Sequence, residues 1–203
     1  DTTQRPVVVL DAIAALVEAS LLRAEIGPDA PVRYRMLETI REFADERLVA
    51  NGEAENVRQR HAAYFADFAE RHELAELRAD GDRARNLLET DHANLRAALA
   101  WLEGGGQSGP LLRLAATLGH FWTGLGFYQE GGGWLDRALR HGNGAAADRA
   151  KALVALGLIR CYQGANRDAE LRLTEGLAAC NEVGDVVHAT LALIALGGLA
   201  VMQ

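Results

Sequence analysis

Leu118-Gly119, Leu156-Gly157 and Leu196-Gly197 repeat a leucine–glycine pair at intervals of 38 and 40 residues. That interval is the length of a stacked helix pair. Around the first pair, Leu114, Ala115, Leu118, Phe121 and Trp122 fall on one face of a helix expected over 111–124. A partner helix over 133–140 carries Trp134, Leu135 and Ala138. A second pair is expected at 148–162 and 168–181, turned at Gly164-Ala165-Asn166, and a third first-helix begins near Val186. A residue as small as Gly119 or Gly157 lets a neighbouring helix approach closely, and each pair leaves an apolar face that the next one covers. Leu191, Leu193, Ile194, Leu196, Leu199 and Val201 are then expected to be partly exposed, awaiting either further chain or a second copy. The chain starts with Asp1 rather than Met and stops inside an apolar helix, so a piece of a longer protein is expected.

Outward from this array, Gly104-Gly105-Gly106-Gln107-Ser108-Gly109-Pro110 reads as a linker. Two long helices precede it. One, over 55–77, carries Val57, His61, Tyr64, Phe65 and Phe68; the other, over 82–102, carries Leu88, Leu95, Leu99 and Leu102. Nearer the start, a helix over 7–18 with Leu10, Ile13, Ala14, Leu16 and Val17 leads into short strands over 21–26 and 32–36. Gly27-Pro28-Asp29 supplies the turn between the strands. A helix over 37–50 with Leu37, Ile40, Ala44 and Leu48 on one face follows, stopped by Asn51-Gly52. Helix, hairpin, helix is the pattern of the end of a winged-helix module. The expected organisation is 1–51 for that end, 52–109 for a helical linker pair and 110–203 for the repeats, the last one incomplete. The fold class is mainly α with one β-hairpin.

Composition narrows the function. The 203 residues are 49% hydrophobic and 24% charged, the balance of a globular protein with a real core. Few prolines and abundant alanine and leucine favour helix. A net charge of −7 repels phosphate and anionic lipid, which argues against direct nucleic-acid binding by the whole chain and against a membrane surface. No apolar run reaches spanning length and no signal-peptide organisation opens the chain, so a cytoplasmic location is expected. Cys161 and Cys180 read as small buried hydrophobes.

Chemistry-bearing motifs are absent. No glycine-rich run leads into Lys-Ser or Lys-Thr; Gly104 to Gly106 reads as linker, and Gly131 to Gly133 as the opening of a helix. His61, His72, His92, His120, His141 and His188 show no metal-ligand spacing, and Ser20 and Ser108 have no nucleophile context. The reading is of a non-enzyme, with no catalytic residue, metal or cofactor in these residues. Arg23, Arg33 and Arg35 gather on the hairpin, Arg33 and Arg35 on one face. The helix before it has no Lys or Arg between Val7 and Glu18, which disfavours base reading and favours either docking of the hairpin on acidic groups of the same chain or a solvated face. Phe121, Trp122, Phe127, Tyr128 and Trp134 form the densest aromatic group; a ligand pocket and a packing joint both fit it, and aromatics at helical spacing usually pack.

Two stretches resemble a known family. Arg33-Tyr34-Arg35-Met36-Leu37-Glu38-Thr39-Ile40-Arg41-Glu42-Phe43-Ala44, with Arg47-Leu48 and Gly52-Glu53, is one. Asn94-Leu95-Arg96-Ala97-Ala98-Leu99-Ala100-Trp101 is the other. Both resemble bacterial signal-transduction ATPases of the STAND class, especially large transcription regulators of actinobacteria. The resemblance implies an upstream ATPase module, a winged helix, a helical linker and a right-handed α-α superhelix of tetratricopeptide-like repeats. It departs at Leu37, where many relatives carry a histidine that senses the nucleotide phosphate, and at Asp91 and Ala93, where glutamate and aspartate are common. The repeat pattern is degenerate. Trp122 and Arg160 stand at its helix-A tyrosine, while Gly131, Leu135 and Ala138, then Ala169 and Leu173, match its helix-B positions.

In such an array the first helices line the concave side. The surface implied includes Arg113, His120 and Thr123, then Lys151, Val154, Leu158, Cys161 and Tyr162, a mix suited to a protein or small effector. The function implied is a sensor region that binds such a partner and transmits the event to the ATPase module of the same chain. The alternatives are an oligomerisation scaffold through the C-terminal apolar helix, giving a homo-oligomer, and DNA contact by the winged helix.

Overall fold

The computed structural model describes residues 5–25, 32–76, 81–140 and 143–201. Among these lie eleven helices and one two-stranded sheet. The chain divides into two compact units, residues 1–57 and 58–203.

The first unit opens with α1 (Arg5–Glu18), followed by β1 (Leu22–Glu25), β2 (Arg33–Met36) and α2 (Glu38–Ala50). Helix α1 ends at Ser20, whose φ of 59° is the left-handed turn usually given to glycine. The Leu21 N–H donates back to the Leu16 carbonyl (2.9 Å), closing that turn. The strands pair antiparallel, with Arg23 opposite Arg35 and Glu25 opposite Arg33. Gly27-Pro28-Asp29 lies outside the described residues. Ile40, Ala44 and Leu48 of α2 turn inward but stay half-buried, and Leu37 and Phe43 are exposed. No residue of α2 is fully buried.

The second unit holds the core. It begins within α3 (Ala54–Glu76) and continues through α4 (Gly81–Thr90), α5 (His92–Gly104), α6 (Ser108–Thr117), α7 (Gly119–Leu125), α8 (Tyr128–Arg140), α9 (Ala146–Tyr162), α10 (Asn166–Val183) and α11 (Val186–Val201). One apolar cluster runs from Ala62, Phe65 and Ala69 of α3 through Leu88, Leu95 and Leu99 to Leu118, Phe121, Trp122, Leu135 and Leu156. A second joins Ala150 and Val154 to Ala169, Leu173 and Cys180 of α10 and Ala192 and Leu199 of α11. Helix α9 contributes to both and is buried without interruption from Ala152 to Gly157.

Glycine decides the closest approaches. A Cβ on Gly119 would lie 2.4 Å from the Ala155 Cβ, and one on Gly157 would lie 2.6 Å from the Leu173 Cγ. Gly126 and Gly164, with φ of 76° and 72°, stop α7 and α9 and open the turns into α8 and α10. Burial pushes the Cys180 thiol up to about 11 and raises that of Cys161, so neither is an activated thiolate.

Several boundaries differ from expectation. The helix expected over 82–102 is two helices, because Asp91 (φ −98°, ψ 12°) leaves helical geometry and its carboxylate accepts a bond from the Asn94 side chain (2.8 Å). The helix expected over 111–124 is also two, α6 and α7, meeting at Leu118 (ψ −3°). The Thr117 and Thr123 hydroxyls donate to carbonyls one turn back on either side of that junction, a bond that bends helices. Gly131 to Gly133 does not open α8 but lies inside it, since a Cβ on Gly131 would sit 2.7 Å from the Trp122 side chain. The stretch read as a linker closes in three residues, Gly105, Gly106 and Gln107, before α6 begins at Ser108. Leu199, expected at the exposed end, is buried in the second cluster.

Candidate interaction surface

Of the residues expected on the first helices, Arg113, His120, Thr123, Lys151, Val154 and Leu158 line one groove, while Cys161 and Tyr162 do not. The inner part of the groove is a narrow slot of only about 20 Å³ between α7, α9 and α11, lined by His120, Thr123, Lys151, Val154, Leu158, His188 and Leu191, with Glu73 at its rim. It opens into a wider polar bowl of about 370 Å³ containing Glu70, Glu73, Arg113, Thr117, Asp148 and Lys151. These residues converge because α6, α7 and α9 stack side by side, aligning Arg113, His120 and Lys151 along adjacent helices.

Both cations on this surface are already engaged. The Lys151 Nζ donates to the two carboxylate oxygens of Glu73 at 3.0 and 3.1 Å. Arg113 Nη2 donates to Glu70 Oε2 at 2.7 Å. Glu70 and Glu73 sit three residues apart on α3 and so share a face. The Glu73 and Lys151 side chains are only 12% and 25% exposed, so solvent and salt screen that pair less than the Arg113 pair. Glu70 holds the Arg113 guanidinium above its ordinary value, by a hydrogen bond first and by charge second. Desolvation pushes the Asp148 carboxyl up, against the pull of Lys151 and Arg113. At the slot, burial lowers the His120 imidazole, and the nearby His188 and Arg85 lower it further. Asp185 accepts from the His188 ring at 2.8 Å. The Thr123 hydroxyl spends its proton on its own helix.

Tyr162 lies apart from this groove. Its ring stacks on Tyr128 at 4.9 Å between centroids, beside Phe127, Gln129, Glu130 and Gln163. Among the aromatic residues, Phe121 and Trp122 are buried in the first cluster, with Phe127, Tyr128 and Trp134 packed against it. Burial would raise the Glu130 carboxyl, but hydrogen bonds from Arg96 and His92 outweigh it and hold the group below its ordinary value.

On the hairpin, Arg35 Nε pairs with Glu25 Oε1 at 3.0 Å, both largely exposed. Arg23 faces Arg35 across the strands. Like charges directly opposite repel, which leaves the pairing of this sheet to its other contacts.

Sequence reasoning passed over the carboxylates. Glu70, Glu73, Glu130, Asp136 and Asp168 are among the groups that hold the cations of this unit in place. Arg160 binds Asp168 (2.8 Å), Gln163 (2.6 Å) and Asp136, tying α8, α9 and α10 together. The signal was present at Arg160, since a guanidinium on the apolar face of a first helix requires carboxylate partners.

The geometry defines a mainly helical stack with an inner groove, and no group of three or more His, Cys, Asp or Glu side chains among the described residues could hold a metal. No described helix is long and apolar enough to cross a membrane. Over 95% of its length the chain is 34% identical to proteins named HTH-type transcriptional regulators in Mycobacterium bovis and in Mycobacterium tuberculosis. It spans 22% of each, about a fifth of their length. The chain is thus similar to a segment of actinobacterial transcription regulators. No protein-family model and no solved structure matches it.

Proposed function

We propose that this chain is the non-catalytic sensor region of a STAND-type transcription regulator. Its helix pairs continue one another as tetratricopeptide-like repeats, and their inner groove receives a protein or small effector. Binding there biases the packing of neighbouring helices and so reaches an ATPase module of the parent protein. The observation that carries this reading is the groove itself: a polar bowl at Arg113 and Lys151 is bordered by the half-buried Leu158 and Leu191. The names of the mycobacterial relatives support the transcriptional setting. Transcript profiling tests it in the intact regulator. Leu158→Arg, which puts a charge in the slot, is expected to abolish the regulated response, whereas Leu158→Met preserves it. An unchanged response with Leu158→Arg in a folded protein overturns the reading.

A second role, association of two copies, is favoured by α11. Leu193 and Ile194 on that helix are 57% and 68% exposed, beside an equally bare Val186 and Val187. Large exposed apolar faces mark contact sites. Sedimentation of the chain with Ile194→Lys tests it: association lost by the variant supports this role, and a monomer in both forms ends it.

A further inference from the structure

The groove is occupied along its polar edge by the chain's own helix. Glu70 and Glu73 project from α3 onto Arg113 and Lys151, residues 43 and 78 positions further along the chain. Beyond Ala69, Glu70 and Glu73 on the next turn pair with Arg113 and Lys151 of the repeats. Upstream, Ala62, Phe65 and Ala69 anchor the same helix in the core. Val57 and Arg58, neighbours within α3, fall on either side of the division between the two units.

We propose that α3 is a built-in occupant of this surface and that the partner it stands in for is an acidic segment. The complementarity is specific. Two cations on adjacent helices face carboxylates one helical turn apart, and the half-buried Leu158 and Leu191 lie beside the same Lys151. A segment with two carboxylates one turn apart and an aliphatic side chain beyond them meets all three features. Such a partner competes with Glu70 and Glu73 and loosens the final turns of α3 when it binds. The idea rests on the groove being the effector site and adds the chemistry of the occupant and the contact it must displace.

The test uses the whole chain and a fluorescein-labelled helical peptide carrying two glutamates three residues apart and a leucine one turn later. Glu70→Gln with Glu73→Gln removes the internal competitor without touching the core residues of α3. The expected result is binding about ten-fold tighter to this variant than to the wild type at low salt, weakening as salt rises. Adding Arg113→Gln and Lys151→Gln is expected to abolish the gain. Equal affinity for wild type and variant overturns the proposal, as does a gain that survives loss of both cations. Glu73→Gln alone, with a smaller gain expected, serves if the double variant melts early. A response still lost with Leu158→Arg while the peptide shows no competition would sink the acidic partner and leave the groove as the effector site.

Discussion

Helices α9 and α11 teach different things about burial. Helix α11 is the richer in apolar residues, with Leu191-Ala192-Leu193-Ile194-Ala195-Leu196 in an unbroken run, yet only Ala189, Ala192 and Leu199 are buried. Helix α9 carries Asp148, Arg149, Lys151 and Arg160, yet eight of its residues are buried. The difference is neighbours. Helix α9 is flanked by two clusters, one shared with α6, α7 and α8 and the other with α10 and α11. Helix α11 has a cluster on one side alone among the described residues. Position within the stack, and not hydrophobicity, sets what a helix contributes to stability.

The leucines of two of the leucine–glycine pairs make the largest test of that contrast. Leu156→Ala opens a cavity in the first cluster and is expected to cost about 3 kcal/mol, whereas Leu196→Ala, half-buried on α11, costs about 1 kcal/mol. Urea midpoints at unchanged slope measure both. Equal losses would show that the two helices are equally packed.

The paired glycines sharpen the comparison with opposite signs. Gly119→Ala drives a methyl to 2.4 Å from the Ala155 Cβ, which has no rotamer to yield. Overpacking of that kind outweighs the helix propensity gained, for a net loss of about 1–2 kcal/mol. At Gly197 nothing lies within 4 Å of the added Cβ, so Gly197→Ala stabilises by about 0.5–1 kcal/mol. Thermal unfolding of the two variants reads the signs directly. A loss at Gly197 would mean that α11 is covered.

The smallest effect concerns acid. His120 of α7 lines the slot with His188 and Leu191 of α11, and its imidazole is lowered from an ordinary 6.5, chiefly by burial. The unfolded chain therefore binds the proton more tightly than the folded one. The His120 contribution is complete above the unfolded value and declines as pH falls from there toward the folded value. Stability is expected to fall as pH drops below the ordinary imidazole value of 6.5, and His120→Gln to flatten that part of the profile. An identical slope in the variant would assign the effect to other groups.

Much of the fold was legible in short-range pattern. Apolar spacing marked the helices that became α3, α9 and α10, and the leucine–glycine period marked the close contacts at Gly119 and Gly157. The glycines at 131–133 misled because their role depends on Trp122, which approaches from another helix. The candidate site was legible to a lesser degree. Arg113, His120, Thr123, Lys151 and Leu158 do share a groove, but Tyr162 pairs with Tyr128 elsewhere.

Helix periodicity, helix stops and the need for small residues at crossings are local properties, carried by side chains within a few positions of one another, and the amino-acid order alone settles them. Which cation meets which carboxylate is decided at separations such as 78 residues, where only the completed stack brings Glu73 to Lys151. Charge attraction acts over a few ångströms and is indifferent to sequence, so the packing that creates the proximity determines the pairing.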